Sequence, residues 1–332
     1  MKPLATFVGA VLLSVVLYVA VFSTVRRPLT VGDITPILQA KLAYAVQLPS
    51  PKIVLFAGSN GRYSHRCDGF TQATGLPCAN LSLAVGVGLD FQFAELLAVL
   101  QPGDLVYMPL EYSQYGVTRA QMHGGTENAL LVHDFRQRLW QQEPLRIARA
   151  YASFELPFLV HGVVESALDW RGFQRRSGAQ SLTPQGDEFG HTAQAAQAYQ
   201  SFLRAQRYEE KPLPADAYAP QVIAEFLAAA RQRGVRVWGG WPTVPEDAVV
   251  PEATRQLAQK LFEQHAQGML ALPHGSRYPL SCFFDTLSHL TQECQTQHSL
   301  QLGQALQDRL TIRSSGEPVV PKAGTQAQGL VR

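Results

Sequence analysis

The sequence predicts an α/β protein, a parallel sheet with a helical insertion, preceded by one N-terminal transmembrane helix. Three observations carry that prediction. Lys52-Ile-Val-Leu-Phe-Ala-Gly-Ser-Asn60 sets four consecutive apolar residues ahead of a small-residue turn, too few for a helix and too continuous for a half-exposed strand, as in a buried parallel strand. A rhythm of strand, glycine turn, helix and strand then continues to Leu110, which is the βαβ pattern. Ahead of both, Pro3 to Val25 holds no charged residue, and Phe7 to Phe22 is nearly all Val, Leu, Ala, Phe and Tyr, long enough to cross hydrocarbon as a helix.

Residues 1–27 read as an uncleaved signal anchor, because Ala20-Val-Phe22 and Ser23-Thr-Val25 both fail the small-x-small cleavage rule at their last position. Lys2 lies on one side of the apolar stretch and Arg26 and Arg27 on the other, so flanking charge does not orient it. A single domain is expected over 28–312, with a flexible tail over 313–332. Asp33 to Leu48 carries Ile34, Ile37, Leu38, Leu42 and Val46 at helical spacing, with Asp33 or Thr35 to cap and Pro36 in the first turn.

After the first strand, Gly61 to Cys78 reads as a polar loop or short helix. Asn80 to Val85 reads as a second strand ending at Gly86-Val-Gly88. Asp90 to Leu100 has a helical pattern stopped by Pro102-Gly103, and Asp104 to Leu110 is a third strand running into Glu111-Tyr112. From about 113 to 208 the pattern loosens into a helical insertion, with pieces at Glu127 to Trp140, Glu143 to Ser153, Leu156 to Leu168 and Thr192 to Arg207. Regular order returns with a helix from Ala217 to Arg233, a fourth strand from Val235 to Trp238, a helix from Pro251 to Gln267, a fifth strand from Met269 to Pro273, and a closing helix from Ser288 or Thr291 to about Leu306.

At 332 residues, 46% hydrophobic and 16% charged, the chain is globular rather than disordered. A net charge of +2 with no Lys/Arg run argues against a nucleic-acid partner. Gly86-Val-Gly88 lacks the rest of a dinucleotide fingerprint, and no P-loop occurs, so no cofactor is expected. His65, His123, His133, His161, His191, His265, His274 and His298 are scattered without metal-ligand spacing, so no metal is expected either. The four cysteines, Cys67, Cys78, Cys282 and Cys294, allow three connectivities. Near-neighbour pairing is the simplest, with buried free thiols as the rival reading. An even count behind an export-like helix favours disulfides and an oxidising compartment, which in a bacterium is the periplasm.

Two stretches carry chemistry. Ser59, in the turn that ends the first strand, stands where open α/β sheets bind their ligands. The rival reading of Gly58-Ser-Asn-Gly61 is a plain turn. Asp285-Thr-Leu-Ser-His289 precedes the closing helix, and an Asp and His at that spacing can set the carboxylate behind the imidazole and leave the other ring nitrogen to activate a serine. Arg62, His65, Glu111 and Tyr112 are candidates to line the same site. Tyr63 and the tryptophans Trp238 and Trp241 are weaker ones.

Taken together, these stretches resemble the SGNH (GDSL-type) hydrolase superfamily over roughly 52–112 and 235–306, and the Asp-x-x-x-His form resembles that of bacterial exopolysaccharide O-acetylation proteins such as the alginate O-acetylation group. The resemblance implies a three-layer α/β/α flavodoxin-like sheet, Ser59 as nucleophile, His289 as base, Asp285 behind it, and the N–H groups of Ser59 and Gly86 as oxyanion donors. It implies an acylated glycan substrate and, beside the inner membrane, a membrane-bound acyltransferase or polysaccharide synthase as partner. Two departures stand out. Gly58 replaces the Asp of the family's first block, and the third strand ends in Pro109-Leu-Glu111-Tyr112 where the family offers an oxyanion-binding Asn. Either Glu111 points elsewhere, or Asn60 serves in its place, or activity is weak or absent. The non-catalytic alternative is a module that binds polysaccharide or partner proteins.

Overall fold

The computed structural model describes residues 2–24, 34–152, 160, 163–164, 167–168, 171 and 181–314. Helix α1 (Lys2–Thr24) buries none of its window Pro3–Ala20, which is long and apolar enough to cross a membrane. Helix α2 (Ile34–Gln47) follows, with Ile37, Leu38 and Ala45 buried. Strand β1 (Ile53–Leu55) leads into α3 (Ser59–Ser64) and α4 (Cys67–Thr74), then β2 (Cys78–Asn80), α5 (Leu89–Val99) and β3 (Leu105–Met108).

Helices α6 (Arg119–Met122), α7 (Gly125–His133), α8 (Arg136–Trp140) and α9 (Pro144–Ala152) come next, and α10 (Ala193–Ala196) and α11 (Gln200–Arg204) close the middle of the chain. Helix α12 (Ala219–Gln232), β4 (Arg236–Gly239), β5 (Val244–Pro245), α13 (Glu252–His265), β6 (Arg277–Tyr278) and α14 (Gln292–Ser314) complete it.

The main sheet runs β2-β1-β3-β4, every pair parallel. Alternate side chains of a strand leave by opposite faces, and the core divides accordingly. Val54, Phe56, Val106, Met108 and Val237 join Phe93 and Leu96 of α5 and Val222 and Phe226 of α12. Ile53, Leu55, Leu105, Tyr107 and Trp238 join Cys67 and Phe70 of α4 and Leu302 and Leu306 of α14. Phe93 stacks on Phe226 at 4.3 Å and meets Phe56 at 5.3 Å. Each such buried aromatic stabilises the fold by about 1.5–3 kcal/mol through removal from water.

The chain departs from the sequence reading in several places. Ser59 opens a helix instead of standing in a loop. The second strand is displaced, pairing at Cys78–Asn80 and stopping where Asn80–Val85 was expected to run. The reason is local: the Asn80 side chain accepts the Ser82 N–H, and Lys41 Nζ from α2 takes the carbonyls of Asn80, Ser82 and Gly186 at 2.9, 2.7 and 2.6 Å, so ladder groups are diverted to side chains. The fifth strand reduces to a single bridge between Met269 and Gly239, and the small β5–β6 pair was not anticipated.

The 127–140 helix is broken at Asp134-Phe135, and the 192–207 helix at 197–199. Most of the helix expected over 156–168, and the tail from 315 onward, lie outside the described residues. The near-neighbour disulfides are formed, Cys67 with Cys78 and Cys282 with Cys294. The first ties α4 to β2, and the second ties a 3₁₀ turn at Leu280–Cys282 to α14. A chain with this pairing fits an oxidising compartment.

Candidate functional site

Helix α3 begins with Ser59 immediately after the strand, and no side chain of its own caps it. Its exposed N-terminal amides are satisfied from a distance: the Glu111 carboxylate, beyond the end of β3, accepts the Gly58 N–H at 2.9 Å and the Asn60 N–H at 2.7 Å. An anion at a helix N-terminus is favoured by the peptide dipoles. Gly58 is required there, since a Cβ would stand 2.6 Å from both Glu111 Oε1 and Val85 Cγ1. Where the resembled family has a carboxylate at position 58, the carboxylate beside that Cα here belongs to Glu111. Burial raises the Glu111 carboxyl above its ordinary range, against the opposing pull of the Asn60 and Gly58 amides and of His289.

The buried face of α3 is wired to two remote segments. Asn60 Nδ2 donates to Thr243 O, Thr243 Oγ1 and Ser288 O at 3.1, 2.7 and 2.7 Å. Ser64 Oγ donates to Ser288 O at 3.1 Å and accepts the Leu290 N–H at 3.2 Å. These bonds hold the segment that carries His289 directly against α3.

His289 Nδ1 lies 2.7 Å from Asp285 Oδ1. Burial works to raise the Asp285 carboxyl, but the hydrogen bond and charge of His289 outweigh it and hold the group below the ordinary carboxylate range. An ionised carboxylate only accepts, so Nδ1 carries the proton and Nε2 is left as the basic nitrogen. The His289 ring stacks on Tyr63 with centroids 4.1 Å apart and planes 12° from parallel. Tyr63 and Ser59 are four apart on α3 and share a face, so about 6 Å of helix separates the hydroxyl's residue from the one under the imidazole. Among the described residues, Ser59 Oγ makes no hydrogen bond and the His289 ring bonds Asp285 alone.

The remaining candidates divide. Ser59 and Gly86 N–H groups donate to no described residue, and Gly86 is exposed on the turn after β2. Asn60 is corrected: it is fully buried, its amide is committed to Thr243 and Ser288 and its N–H to Glu111, which makes it a scaffold rather than an oxyanion donor. His65 is corrected as well. It is buried against His298 and Tyr107, in the layer between α4, α14 and the sheet, and burial lowers its imidazole to about 3. Arg62 is paired with Glu188 and lies over the Tyr63 ring.

Tyr112 is buried beside Trp241 and lines a cavity of about 570 Å³ together with Val85, Gly86, Leu89, Met122 and Leu213. Val85 both walls this cavity and overhangs Gly58, so the cavity begins next to the Ser59 turn.

Sequence reading missed Thr243, which has no motif around it, and the role of Ser64, whose only signal is its four-residue spacing from Asn60 on α3. It also read His123 as one of the scattered histidines, yet ligand atoms of Asp90, His123 and Glu127 come within 4.8 Å of one another.

No protein-family model matches the chain, and no curated protein matches it significantly. Among solved structures, tagatose-6-phosphate ketose/aldose isomerase from Escherichia coli aligns over 89% of this chain and 94% of its own, at 13% identity and a TM-score of 0.17, a similarity at which neither fold nor activity carries over.

Proposed function

We propose that this is an SGNH-like serine esterase or O-acyltransferase, a three-layer α/β/α flavodoxin-like domain held in the periplasm by a single inner-membrane helix and acting on acyl esters of a cell-envelope or secreted polysaccharide. The observation that carries the reading is the Asp285–His289 pair seated on the helix that Ser59 opens. Ser59 Oγ attacks the acyl carbon while His289 Nε2 takes its proton, and Asp285 holds the imidazole in the tautomer that can do so. The tetrahedral oxyanion is met by the Ser59 and Gly86 N–H groups. His289 then returns the proton to the departing alkoxide, and water or a glycan hydroxyl releases the acyl group.

The family's Asn donor has no counterpart here, and one such donor is worth about 3–4 kcal/mol of transition-state stabilisation. A two-donor site supports acyl chemistry at a modest rate, with water or a bound hydroxyl as acceptor. The cavity beside Gly86 offers room for the acyl or glycan portion. The apolar helix α1 and the two disulfides support a tethered domain in an oxidising compartment.

The second reading, a non-catalytic module that binds glycan or a membrane-bound acyltransferase or synthase, is favoured by one observation: a carboxylate, that of Glu111, stands where the donor belongs. A fluorophosphonate probe separates the two. Wild type should label stoichiometrically and Ser59→Ala not at all; no labelling of folded wild type, or equal labelling of both, removes the enzyme.

A further inference from the structure

Three side chains from separate helical segments meet behind the turn that follows β2. Asp90 lies in the first turn of α5, His123 follows α6, and Glu127 lies in the first turn of α7. His123 Nε2 is 2.7 Å from Asp90 Oδ2, and one ligand atom from each of the three falls within 4.8 Å of the others. Glu127 is 3% exposed. One of its oxygens meets Arg146, while the other, Oε2, is buried with no hydrogen-bond partner and aims into the cluster.

That oxygen, the Met122 carbonyl and Asp90 Oδ1 crowd the side of Gly88 where a Cβ would stand, at 1.8, 2.7 and 2.9 Å from it. Two carboxyl groups, an imidazole and a guanidinium are thus gathered in one largely buried place, where polar and charged groups have to be compensated.

We infer that Asp90, His123 and Glu127 form a binding site for a divalent metal ion that takes mixed nitrogen and oxygen ligands, Zn²⁺ before others. Ligands about 2.0–2.2 Å from a tetrahedral Zn²⁺ stand about 3.3–3.6 Å from one another. The His123–Asp90 pair therefore opens slightly as the ion enters and the longer pairs close. Gly88 and Met122, whose backbones flank the cluster, also line the cavity, which gives the ion a path from solvent. Bound there, it ties the turn carrying Gly86 to α6 and α7. This site stands independently of the esterase reading.

The test uses full-length protein in detergent, stripped with EDTA and titrated with ZnCl₂ by calorimetry, with thermal unfolding alongside. One equivalent should bind saturably, and Tm should rise by about 3 °C or more at hundredfold excess over Kd. His123→Ala, at a part-exposed position that leaves the fold intact, should weaken binding at least about tenfold. Glu127→Gln, which keeps the shape and removes the charge, should do the same, and His265→Ala on α13 should change nothing. Equal Zn²⁺ affinity in wild type and His123→Ala, absence of saturable binding, or a Tm that Zn²⁺ does not raise would each overturn the site.

Discussion

Two turns leave the sheet at neighbouring strand ends, and they are built in opposite ways. The one after β1 is fixed from four directions. Glu111 grips the amides on both sides of Ser59, Asn60 reaches Thr243 and Ser288, Ser64 clasps Ser288 and Leu290, and Val85 leaves no room beside Gly58. The one after β2 is held by the Val87 N–H on the Ala84 carbonyl at 3.3 Å and by Gln92 Nε2 on the Val87 carbonyl at 2.8 Å, and Gly86 has no atom within 4 Å of its missing side chain. A nucleophile gains from a rigid seat, because misplacement by about 1 Å is costly to a reaction. On the proposed mechanism, a backbone donor on a compliant turn adapts to whichever acyl group enters.

The contrast breaks first at the hydroxyl. Ser59→Ala should lower p-nitrophenyl acetate turnover by about 10³-fold or more with Tm unchanged, and a smaller loss would make the well-held residue a bystander. Asp285→Asn should cost about 10²–10⁴-fold in kcat by freeing the wrong tautomer. The same variant carries a pH signature. A carboxyl held below its unfolded value stabilises the fold in full above about pH 4, and that contribution is lost as pH falls through the folded value. Urea midpoints at pH 3 and pH 7 should therefore differ less in Asp285→Asn than in wild type.

Asn60→Ala strands the Thr243 carbonyl, takes one of its donors from the Ser288 carbonyl, and should cost about 1–3 kcal/mol in urea unfolding. Gly86→Ala should shift stability by no more than about 0.5 kcal/mol. Equal costs at these two positions would erase the distinction between the turns.

How much of this could be read from the sequence depended on distance along the chain. Strand β1 was legible because its apolar run is continuous and local. The Asp285–His289 pair was legible because only three residues separate its members, in a short loop that the Phe283–Leu290 bridge closes. Glu111, by contrast, reaches Asn60 across 51 positions, and Asn60 reaches Thr243 across 183 and Ser288 across 228. No local pattern encodes a bond of that kind, so Asn60 was read as a donor to substrate when its amide was already engaged. His65 misled for the opposite reason. Its nearness to Ser59 in sequence is undone by the chain between α3 and α4, which turns it into the buried layer beside His298. The second strand was misplaced because the lysine that ends it comes from α2, 39 residues upstream of Asn80.

That lysine has a practical consequence. Helix α2 plugs a cation into the carbonyls at the end of β2, so it belongs to the globular body and is no mere spacer. A shortened, water-soluble version of this protein has to keep Ile34 to Gln47; one that starts at β1 would leave three carbonyls facing an empty socket beneath the turn that carries Gly86.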